Sequence, residues 1–259
     1  MNVLLIGSGA MGSLVREKLL DAHTVTMADS LKPHLLTPPY EVIIDFSHPD
    51  NLEGIIDYVK KHPTPLVIAT TGYSEKQIVE IQRLGETVPV LFSANFSLGV
   101  ILMNRLVKEM ASILADSFDI EVIEKHHHLK VDAPSGTARM LVDSLNGELD
   151  YQVVHGREGM ARRRKKEIGV HTIRGGSIVG EHEVLFAGAD EIISIKHEAL
   201  SKSIFATGAI RGARWLVRQD KGLYDMEDVL FRTVPETFTP YSVEDIIAKA
   251  EQAKKEHSQ

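Results

Sequence analysis

The chain has 259 residues, of which 43% are hydrophobic and 25% charged, a composition typical of a soluble globular protein with room for two modest domains. Its formal net charge of −7 argues against nucleic acid as the main partner, because phosphate binding requires a basic surface. The absence of cysteine excludes disulfides, thiolate metal sites and cysteine nucleophiles, and it fits a reducing compartment.

The amino terminus has the pattern of a nucleotide-binding strand, turn and helix. Apolar residues from Val3 to Ile6 predict a short buried strand, and the next six residues have the spacing G-x-G-x-x-G. The first glycine permits a tight turn, the second lets the backbone approach a diphosphate, and the third lets the helix pack on the strand. We therefore predict that a dinucleotide is bound by Gly7, Ser8, Gly9, Ala10, Met11 and Gly12.

An acidic residue ends the second predicted strand. The run Thr24 to Ala28 leads to Asp29, and 29 − 7 = 22 residues is close to the spacing at which a carboxylate meets the adenosine ribose. Asp29 accepts hydrogen bonds from a ribose hydroxyl and repels a 2′-phosphate, which favours NADH over NADPH. Ser30 and Lys32 leave NADPH open, because a hydroxyl and an ammonium can hold the extra phosphate.

Further strands and helices alternate up to residue 97. Apolar strands at 42–46, 66–69 and 90–92, with helices at about 52–59 and 75–84, predict an α/β fold with a Rossmann-type doubly wound parallel sheet. Ligands of such sheets bind at the carboxyl ends of the strands. Ordinary turn chemistry also explains polar residues there. The rim candidates are Ser47, Thr70, Thr71, Gly72 and Asn95.

The second half of the chain has a different pattern. A helix over 98–114 leads into strands near 168–173, 178–186 and 191–197 without intervening helices, which predicts a second α+β domain with a mixed sheet. A helix over 203–217 then returns to the first domain. We expect residues 1–97 and 206–241 to form the dinucleotide-binding domain and 98–205 the second domain. Residues 242–259, with Ser242 as a helix cap, form a C-terminal helical extension.

The stretch from Glu124 to Ala138 carries most of the chemistry. A predicted strand over 118–124 leads to His126, His127 and His128, whose side chains point in different directions, so at most two of them take part in chemistry. Imidazole exchanges a proton near neutral pH, and the ammonium of Lys130 can hold a carboxylate. These residues predict acid catalysis on a small anionic substrate.

The anion would bind at the turn that follows. Pro134 cannot lie inside a helix, Ser135 can cap one, and Gly136 and Thr137 then offer free N–H groups in the first turn. A metal site is not predicted, because three adjacent strand residues cannot converge on one tetrahedral ion. We therefore assign no metal to this stretch.

Besides the glycine-rich turn, a set of short motifs spans the chain from Val3 to about Phe231: Ile44-Asp45-Phe46-Ser47, Thr70-Thr71-Gly72, Ala94-Asn95-Phe96-Ser97, Glu124-Lys125-His126-His127, the run from Lys130 to Ala138, Gly156-Arg157-Glu158-Gly159, Val179-Gly180-Glu181-His182 and Asp225-Met226-Glu227-Asp228-Val229-Leu230. In these motifs the chain resembles the dihydrodipicolinate reductase family, also called 4-hydroxy-tetrahydrodipicolinate reductases. The family's Gly-Thr-Thr-Gly is here Ala69-Thr70-Thr71-Gly72.

The resemblance implies that a nicotinamide cofactor reduces a cyclic dicarboxylate with loss of water, in lysine and diaminopimelate biosynthesis. His126 would donate or accept the proton, Lys130 would donate a proton and hold substrate, and His127 and the turn Ser135–Thr137 would bind substrate. The resemblance also implies a homotetramer formed by sheet-to-sheet packing. Beyond the amino-terminal turn, the implied cofactor contacts are Asp29, Ala69, Thr70, Thr71, Gly72, Ser93, Ala94, Asn95 and Phe96.

Two other functions fit parts of the pattern. One is a sugar or amino-acid dehydrogenase with a Glu-Lys-Pro motif, although His126 stands where the proline would be. The other is a nicotinamide-sensing module, which would have little need for both His126 and Lys130. The basic run from Arg162 to Lys166 is expected to be a solvated loop, with attraction of an anionic substrate as the alternative.

We also expect no signal peptide and no membrane partner. The predicted strand begins at Val3, which leaves no room for a leader, and no apolar run approaches the length of a membrane span. A cytoplasmic location follows from these two observations.

Overall fold

A computed structural model describes residues 1–20, 22–29, 39–147 and 149–232. Ser30, Lys32 and the predicted extension with Ser242 lie outside the described residues. The strands are β1 (Asn2–Ile6), β2 (Thr24–Ala28), β3 (Val42–Asp45), β4 (Leu66–Ile68), β5 (Pro89–Phe92), β6 (Asp119–His126), β7 (Gln152–His155), β8 (Glu167–Arg174), β9 (Gly180–Ala187), β10 (Ile192–Ala199) and β11 (Gly222–Tyr224). The helices are α1 (Ala10–Leu19), α2 (Leu52–Lys61), α3 (Glu75–Leu84), α4 (Leu98–Leu114), α5 (Gly136–Asn146), α6 (Ser203–Leu216) and α7 (Met226–Phe231).

The first sheet is parallel throughout, in the order β11-β5-β4-β3-β1-β2. The central strands β1, β3 and β4 are almost entirely buried, as expected where helices cover both faces of a sheet. Val3 and Leu5 of β1 share a core with α1 and α6, while Leu4 and Ile6 point the other way into a core with α2 and α3. The doubly wound sheet predicted from the sequence is confirmed, and β11 adds an edge strand that was not predicted.

The second sheet is mixed, as predicted, in the order β10-β9-β6-β8-β7. β6 pairs parallel with β8 and antiparallel with β9. One face packs on α4 and α5, where Ile120 and Val122 of β6 meet Met103, Val107 and Leu141. The four-residue strand β7 was not predicted. Strand β6 extends two residues beyond the predicted end, so that His126 is its last residue.

The chain passes twice between the two sheets. It leaves the first sheet after β5 through α4, and it returns after β10 through α6, whose alanines pack in the core beside β1 and β3. Among the described residues, no helix is long and apolar enough to cross a membrane.

Candidate active site

The glycine-rich turn between β1 and α1 has the geometry that its spacing predicts. Gly7 has φ +104°, which favours glycine, and a Cβ on Gly12 would lie 1.9 Å from the carbonyl oxygen of Gly7. At Gly9, by contrast, a Cβ would meet no protein atom within 4 Å. Gly9 caps α1 without a side chain, so the amino end of the helix faces open space. A diphosphate fits this turn, because free N–H groups and a positive helix end favour an anion.

A cleft of about 410 Å³ lies beside that turn, at the carboxyl ends of β3 and β4. A buried carboxylate, Asp45, shapes it by accepting hydrogen bonds from the hydroxyl (2.5 Å) and backbone N–H (3.1 Å) of Ser47 and from the Tyr73 hydroxyl (3.2 Å). Burial raises the pKa of Asp45, and these hydrogen bonds offset part of that rise. Neither Asp45 nor Tyr73 was assigned a role from the sequence. The residues that line the cleft are Met11, Phe46, Ser47, His48, Pro49, Ala69, Thr70, Thr71 and Gly72.

Asp29 lies directly after β2, at the same end of the sheet, and is exposed. The Asn51 side chain donates to its carbonyl oxygen at 3.2 Å. The carboxylate is therefore available to a ligand on this rim.

The loop after β5 joins the two sheets. Ser93 donates its hydroxyl proton to the carbonyl of Asn95 (2.9 Å), and the Phe96 ring lies 6.4 Å from that of Phe46. Asn95 accepts from the N–H of Ser97 (2.8 Å) and donates to the hydroxyl of Thr137 (2.9 Å). Ala94 is exposed beside them. The structure thus brings the candidate cofactor loop into direct contact with the candidate substrate turn.

Glu124 is fully buried at the centre of the second half of the site. One oxygen lies 2.6 Å from Nδ1 of His126, and the guanidinium of Arg174 binds both oxygens at 2.8 and 2.9 Å. The backbone N–H of Ser135 donates to it at 2.9 Å. Burial would raise the pKa of Glu124, but the hydrogen bonds from Arg174, His126 and Ser135 outweigh that effect and leave the pKa lowered. The carboxylate is therefore charged.

His126 is buried between this carboxylate and His182. Burial lowers the pKa of His126, and the bond to Glu124 opposes part of that change. The ring of His182 meets that of His126 edge-on at 5.2 Å, and burial lowers the pKa of His182 to about 4. His182 also lies within hydrogen-bond distance of the Ser135 hydroxyl, at 3.0 Å. His182 is therefore neutral near neutral pH.

The predicted turn forms as expected. Ser135 caps α5 by accepting from the N–H of Ala138 at 3.2 Å, and the helix begins at Gly136. Gly136 is exposed and Thr137 is half-buried. The hydrogen bond from Asn95 to Thr137 brings this first turn of α5 next to the loop after β5.

Lys130 lies in the loop before that turn, with its ammonium 2.6 Å from Asp132. This hydrogen bond lowers the pKa of the Asp132 carboxyl. His127 is half-buried. His128 is exposed, and its Nδ1 lies 2.9 Å from the carbonyl oxygen of Gly176. The three histidines thus have three different surroundings, as their strand geometry predicts.

Arg163, in the basic run, is not a freely solvated side chain. It is half-buried and donates to Asp119 (2.7 Å), Glu121 (3.1 Å) and the carbonyl oxygen of Glu167 (2.6 Å). Glu121 also binds Arg157 and His171. Arg163 therefore holds its loop against the second sheet.

Within the described parts of the chain, no three metal-ligating side chains converge on one point.

Sequence reasoning missed Glu124, Arg174 and His182 as site residues. Glu124 could have been found, because it lies two residues before His126 on the same face of one strand. Arg174 and His182 become neighbours of Glu124 only through the pairing of β6 with β8 and β9.

A cavity of about 610 Å³ between α4 and α5 lies apart from Glu124, Arg174 and His182.

Comparison with known proteins gives consistent matches. The family described as "Dihydrodipicolinate reductase, C-terminus" matches residues 99–230, and "Dihydrodipicolinate reductase, N-terminus" matches residues 17–96. A 4-hydroxy-tetrahydrodipicolinate reductase of Clostridium novyi is 42% identical over 245 residues, covering 88% of this chain and 97% of its own. The same-named protein of Brachyspira hyodysenteriae is 44% identical over 232 residues, covering 89% and 100%.

Solved structures agree on the fold. A dipicolinate-bound dihydrodipicolinate reductase from Paenisporosarcina sp. TG-14 superposes with a TM-score of 0.69 at 20% identity, covering 87% of this chain and 97% of that one. A myo-inositol dehydrogenase from Corynebacterium glutamicum shares the fold more distantly, with a TM-score of 0.54 at 12% identity and coverages of 89% and 92%.

The parallel sheet, the glycine-rich turn and these matches define an oxidoreductase that uses a nicotinamide cofactor. It is 42% and 44% identical to two 4-hydroxy-tetrahydrodipicolinate reductases over nearly their full length, which shows its family. The chain belongs to the dihydrodipicolinate reductase family.

Proposed function

We propose that this protein reduces 4-hydroxy-tetrahydrodipicolinate to tetrahydrodipicolinate with loss of water, in lysine and diaminopimelate biosynthesis. Family membership supports the reaction. The assignment of the site residues rests on the hydrogen bond from Asn95 to Thr137. This bond joins the proposed cofactor loop after β5 to the proposed substrate-binding turn of α5. The substrate class is a small cyclic dicarboxylate, and the relative from Paenisporosarcina supports it by its bound dipicolinate.

The cofactor would be held by the turn Gly7–Gly12, Asp29, the segment Ala69–Gly72 and the loop Ser93–Phe96. A reduced nicotinamide held there would supply a hydride to a substrate ring carbon. The proposed task of His126 and Lys130 is to supply the proton that balances the added electron density, a contribution of about 10²–10⁴-fold in rate for a well-placed acid.

The remaining site residues would hold the two substrate carboxylates. Lys130 binds one as an ammonium, and the first-turn N–H groups of Gly136 and Thr137 bind the other. His127 contacts substrate from the end of β6. Ser135 contributes by holding the turn, because its hydroxyl and N–H already bond within the protein.

The test is oxidation of NADH or NADPH by the purified protein in the presence of freshly made substrate. We expect oxidation that depends on the substrate and that falls sharply in Lys130→Ala. A sugar or amino-acid dehydrogenase would instead oxidise its own substrate, and a sensor would bind the cofactor without turnover. Absence of substrate-dependent oxidation with both cofactors would contradict the proposal.

We propose that NADH is preferred and NADPH accepted. The exposed Asp29 carboxylate supports this preference, because it repels a 2′-phosphate. The Michaelis constants of the two cofactors decide it, and Asp29→Asn should narrow the difference between them. A strong preference for NADPH in the wild type would contradict the proposal.

We further propose a cytoplasmic homotetramer with dinucleotide-binding residues 1–97 and 206–241, and substrate-binding and oligomerisation residues 98–205. The packing of α6 against the first sheet supports the division. The outer face of the second sheet supports sheet-to-sheet assembly, because Ile173 and Ile192 are 45% and 66% exposed there. A monomer in light scattering would contradict the tetramer.

A further inference from the structure

The buried carboxylate of Glu124 contacts the imidazole of His126, the proposed acid. We propose that Glu124, held by Arg174, is a positioning residue that fixes the proton of His126 on Nδ1 and leaves Nε2 as the atom that exchanges a proton with substrate. The inference rests on the proposed function, since it assigns a task within that site.

The contacts of Glu124 use all of its bonding capacity. A carboxylate offers about four acceptor positions, and here it has four contacts. Oε1 accepts from Arg174 (2.9 Å) and from the N–H of Ser135 (2.9 Å), while Oε2 accepts from Arg174 (2.8 Å) and lies 2.6 Å from His126. A two-point contact with a guanidinium fixes the plane of the carboxylate as well as its charge. The group is therefore rigid, ionised and unable to donate.

The tautomer of His126 follows from this arrangement. A charged carboxylate can only accept, so the contact at 2.6 Å requires a proton on Nδ1 of His126. In the neutral ring Nε2 is then the free acceptor, and in the charged ring it carries the labile proton. Nδ1 of the imidazole is therefore occupied by its bond to Glu124, and Nε2 is the nitrogen that can react.

The space beside Nε2 is kept clear by a glycine. A Cβ on Gly180 would lie 3.1 Å from Nε2 of His126, closer than side chains normally approach. The neighbouring ring of His182 is perpendicular at 5.2 Å, and its own Nε2 faces the Ser135 hydroxyl. Neither neighbour competes for the proton on Nε2.

Glu124 also couples the acid to the anion-binding turn. The Ser135 N–H that it accepts belongs to the residue that caps α5, and the free N–H groups of Gly136 and Thr137 follow at once. A shift of the carboxylate would therefore move the proton donor and the substrate turn together. This coupling gives the buried charge of Glu124 a task that an apolar residue at the same position could not perform.

The charged groups around His126 set the direction of a pH effect. They are Glu124 on the same strand, Lys130 in the following loop, Arg174 at the end of β8 and His182 on β9. Glu124 raises the pKa of His126, and the two cations lower it. Removing the charge of Glu124 must therefore lower the pKa of His126 further, so the protonated ring is lost at lower pH.

The test is Glu124→Gln, an isosteric change that removes the charge. We expect turnover to fall about 100-fold, with the Michaelis constant for the cofactor nearly unchanged, because the ring is then protonated less readily and is no longer fixed with Nε2 free for the substrate. The alkaline limb of the pH profile of kcat/KM should move to lower pH. Nitrogen-15 NMR of the ligand-free protein should show Nδ1–H at His126 in the wild type and a changed tautomer in Glu124→Gln.

Glu121→Gln is the matched control. Glu121 lies on the same strand and also contacts arginines and a histidine, but it faces the opposite side of the sheet. The Glu121→Gln variant should retain the turnover, the pH profile and the His126 tautomer of the wild type.

Arg174→Lys serves as a second variant. It keeps a cation beside Glu124 but loses the two-point contact, so it should lower turnover less than Glu124→Gln does.

The outcomes separate this inference from the proposed function. An Nε2–H tautomer at His126 in the wild-type protein, or equal effects of Glu124→Gln and Glu121→Gln on the pH profile, would overturn the inference. The NMR measurement needs no substrate, so it remains decisive if Glu124→Gln does not fold. It also remains decisive if the wild-type protein reduces a different compound, a result that would refute only the proposed function.

Discussion

The amide of Asn95 donates a hydrogen bond to the hydroxyl of Thr137 at 2.9 Å, joining two residues that lie 42 positions apart in the chain. Asn95 belongs to the loop after β5 in the first sheet, and Thr137 to the first turn of α5 against the second. The same asparagine accepts from the N–H of Ser97. One side chain therefore ties the proposed cofactor loop to the proposed substrate turn.

Loss of this bond should weaken substrate binding. Thr137→Val removes the hydroxyl and keeps the shape, and a net hydrogen bond of about 0.5–1.5 kcal/mol corresponds to a Michaelis constant for substrate raised roughly 2- to 10-fold. Thr137→Ser keeps the hydroxyl and is the control, which should stay near the wild-type value. Steady-state kinetics on both variants test the point, and equal values for Val and Ser would contradict it.

Gly9 and Gly12 should respond differently to alanine. At Gly9 the new Cβ meets no protein atom within 4 Å and φ is −65°, so Gly9→Ala should keep its thermal stability but bind the cofactor more weakly. At Gly12 the Cβ would lie 1.9 Å from a backbone oxygen, so Gly12→Ala should lose more than about 3 kcal/mol of stability. Thermal unfolding and calorimetric cofactor titration separate the two effects. Normal cofactor affinity in Gly9→Ala would show that the diphosphate does not lie against this turn.

The two proposed proton donors should have different kinetic signatures. We expect His126→Gln mainly to lower turnover, because the proposed task of this ring is proton exchange and the substrate carboxylates are held by other groups. Lys130→Ala should lower turnover and also raise the Michaelis constant for substrate, because the ammonium holds a carboxylate. Both changes should cost about 10²-fold or more in rate. Unaltered turnover in both variants would refute the assignment.

His128 should tolerate replacement. It is exposed, and its Nδ1 lies 2.9 Å from the carbonyl oxygen of Gly176. His128→Ala should leave turnover within about twofold and stability within about 0.5 kcal/mol of the wild type, as for most surface substitutions. A loss of turnover equal to that of His126→Gln would place His128 in the active site.

Stability should fall as the solution becomes acidic, partly because of His182. Its pKa is about 4 in the folded protein against 6.5 in the unfolded chain, so between these values only the unfolded chain binds the proton. The linked loss of stability is roughly 2 kcal/mol between about pH 7 and pH 5. His182→Gln should remove that part of the pH dependence. Denaturant unfolding at both pH values gives the difference, and parallel curves for the two proteins would contradict the argument.

Much of the fold could be predicted because the signals are local. The G-x-G-x-x-G spacing, the apolar strands and the Ser135 cap each depend on neighbouring residues, and the structure confirms the elements they predict. The short strands β7 and β11 were missed because four and three residues carry too little periodicity, and their partners supply the order. The guanidinium of Arg174 was missed for another reason, since it lies 50 residues from Glu124 and meets that carboxylate only through strand pairing.

The two chain crossings between the sheets touch each other. His197, near the end of β10, approaches the Ser97 hydroxyl to 3.4 Å, and a Cβ on Gly99 would lie 2.8 Å from its ring. The imidazole of His197 therefore lies where the two connections meet, and glycine at position 99 leaves the room that this ring occupies. A larger residue at position 99 would press against His197 and disturb both connections at once.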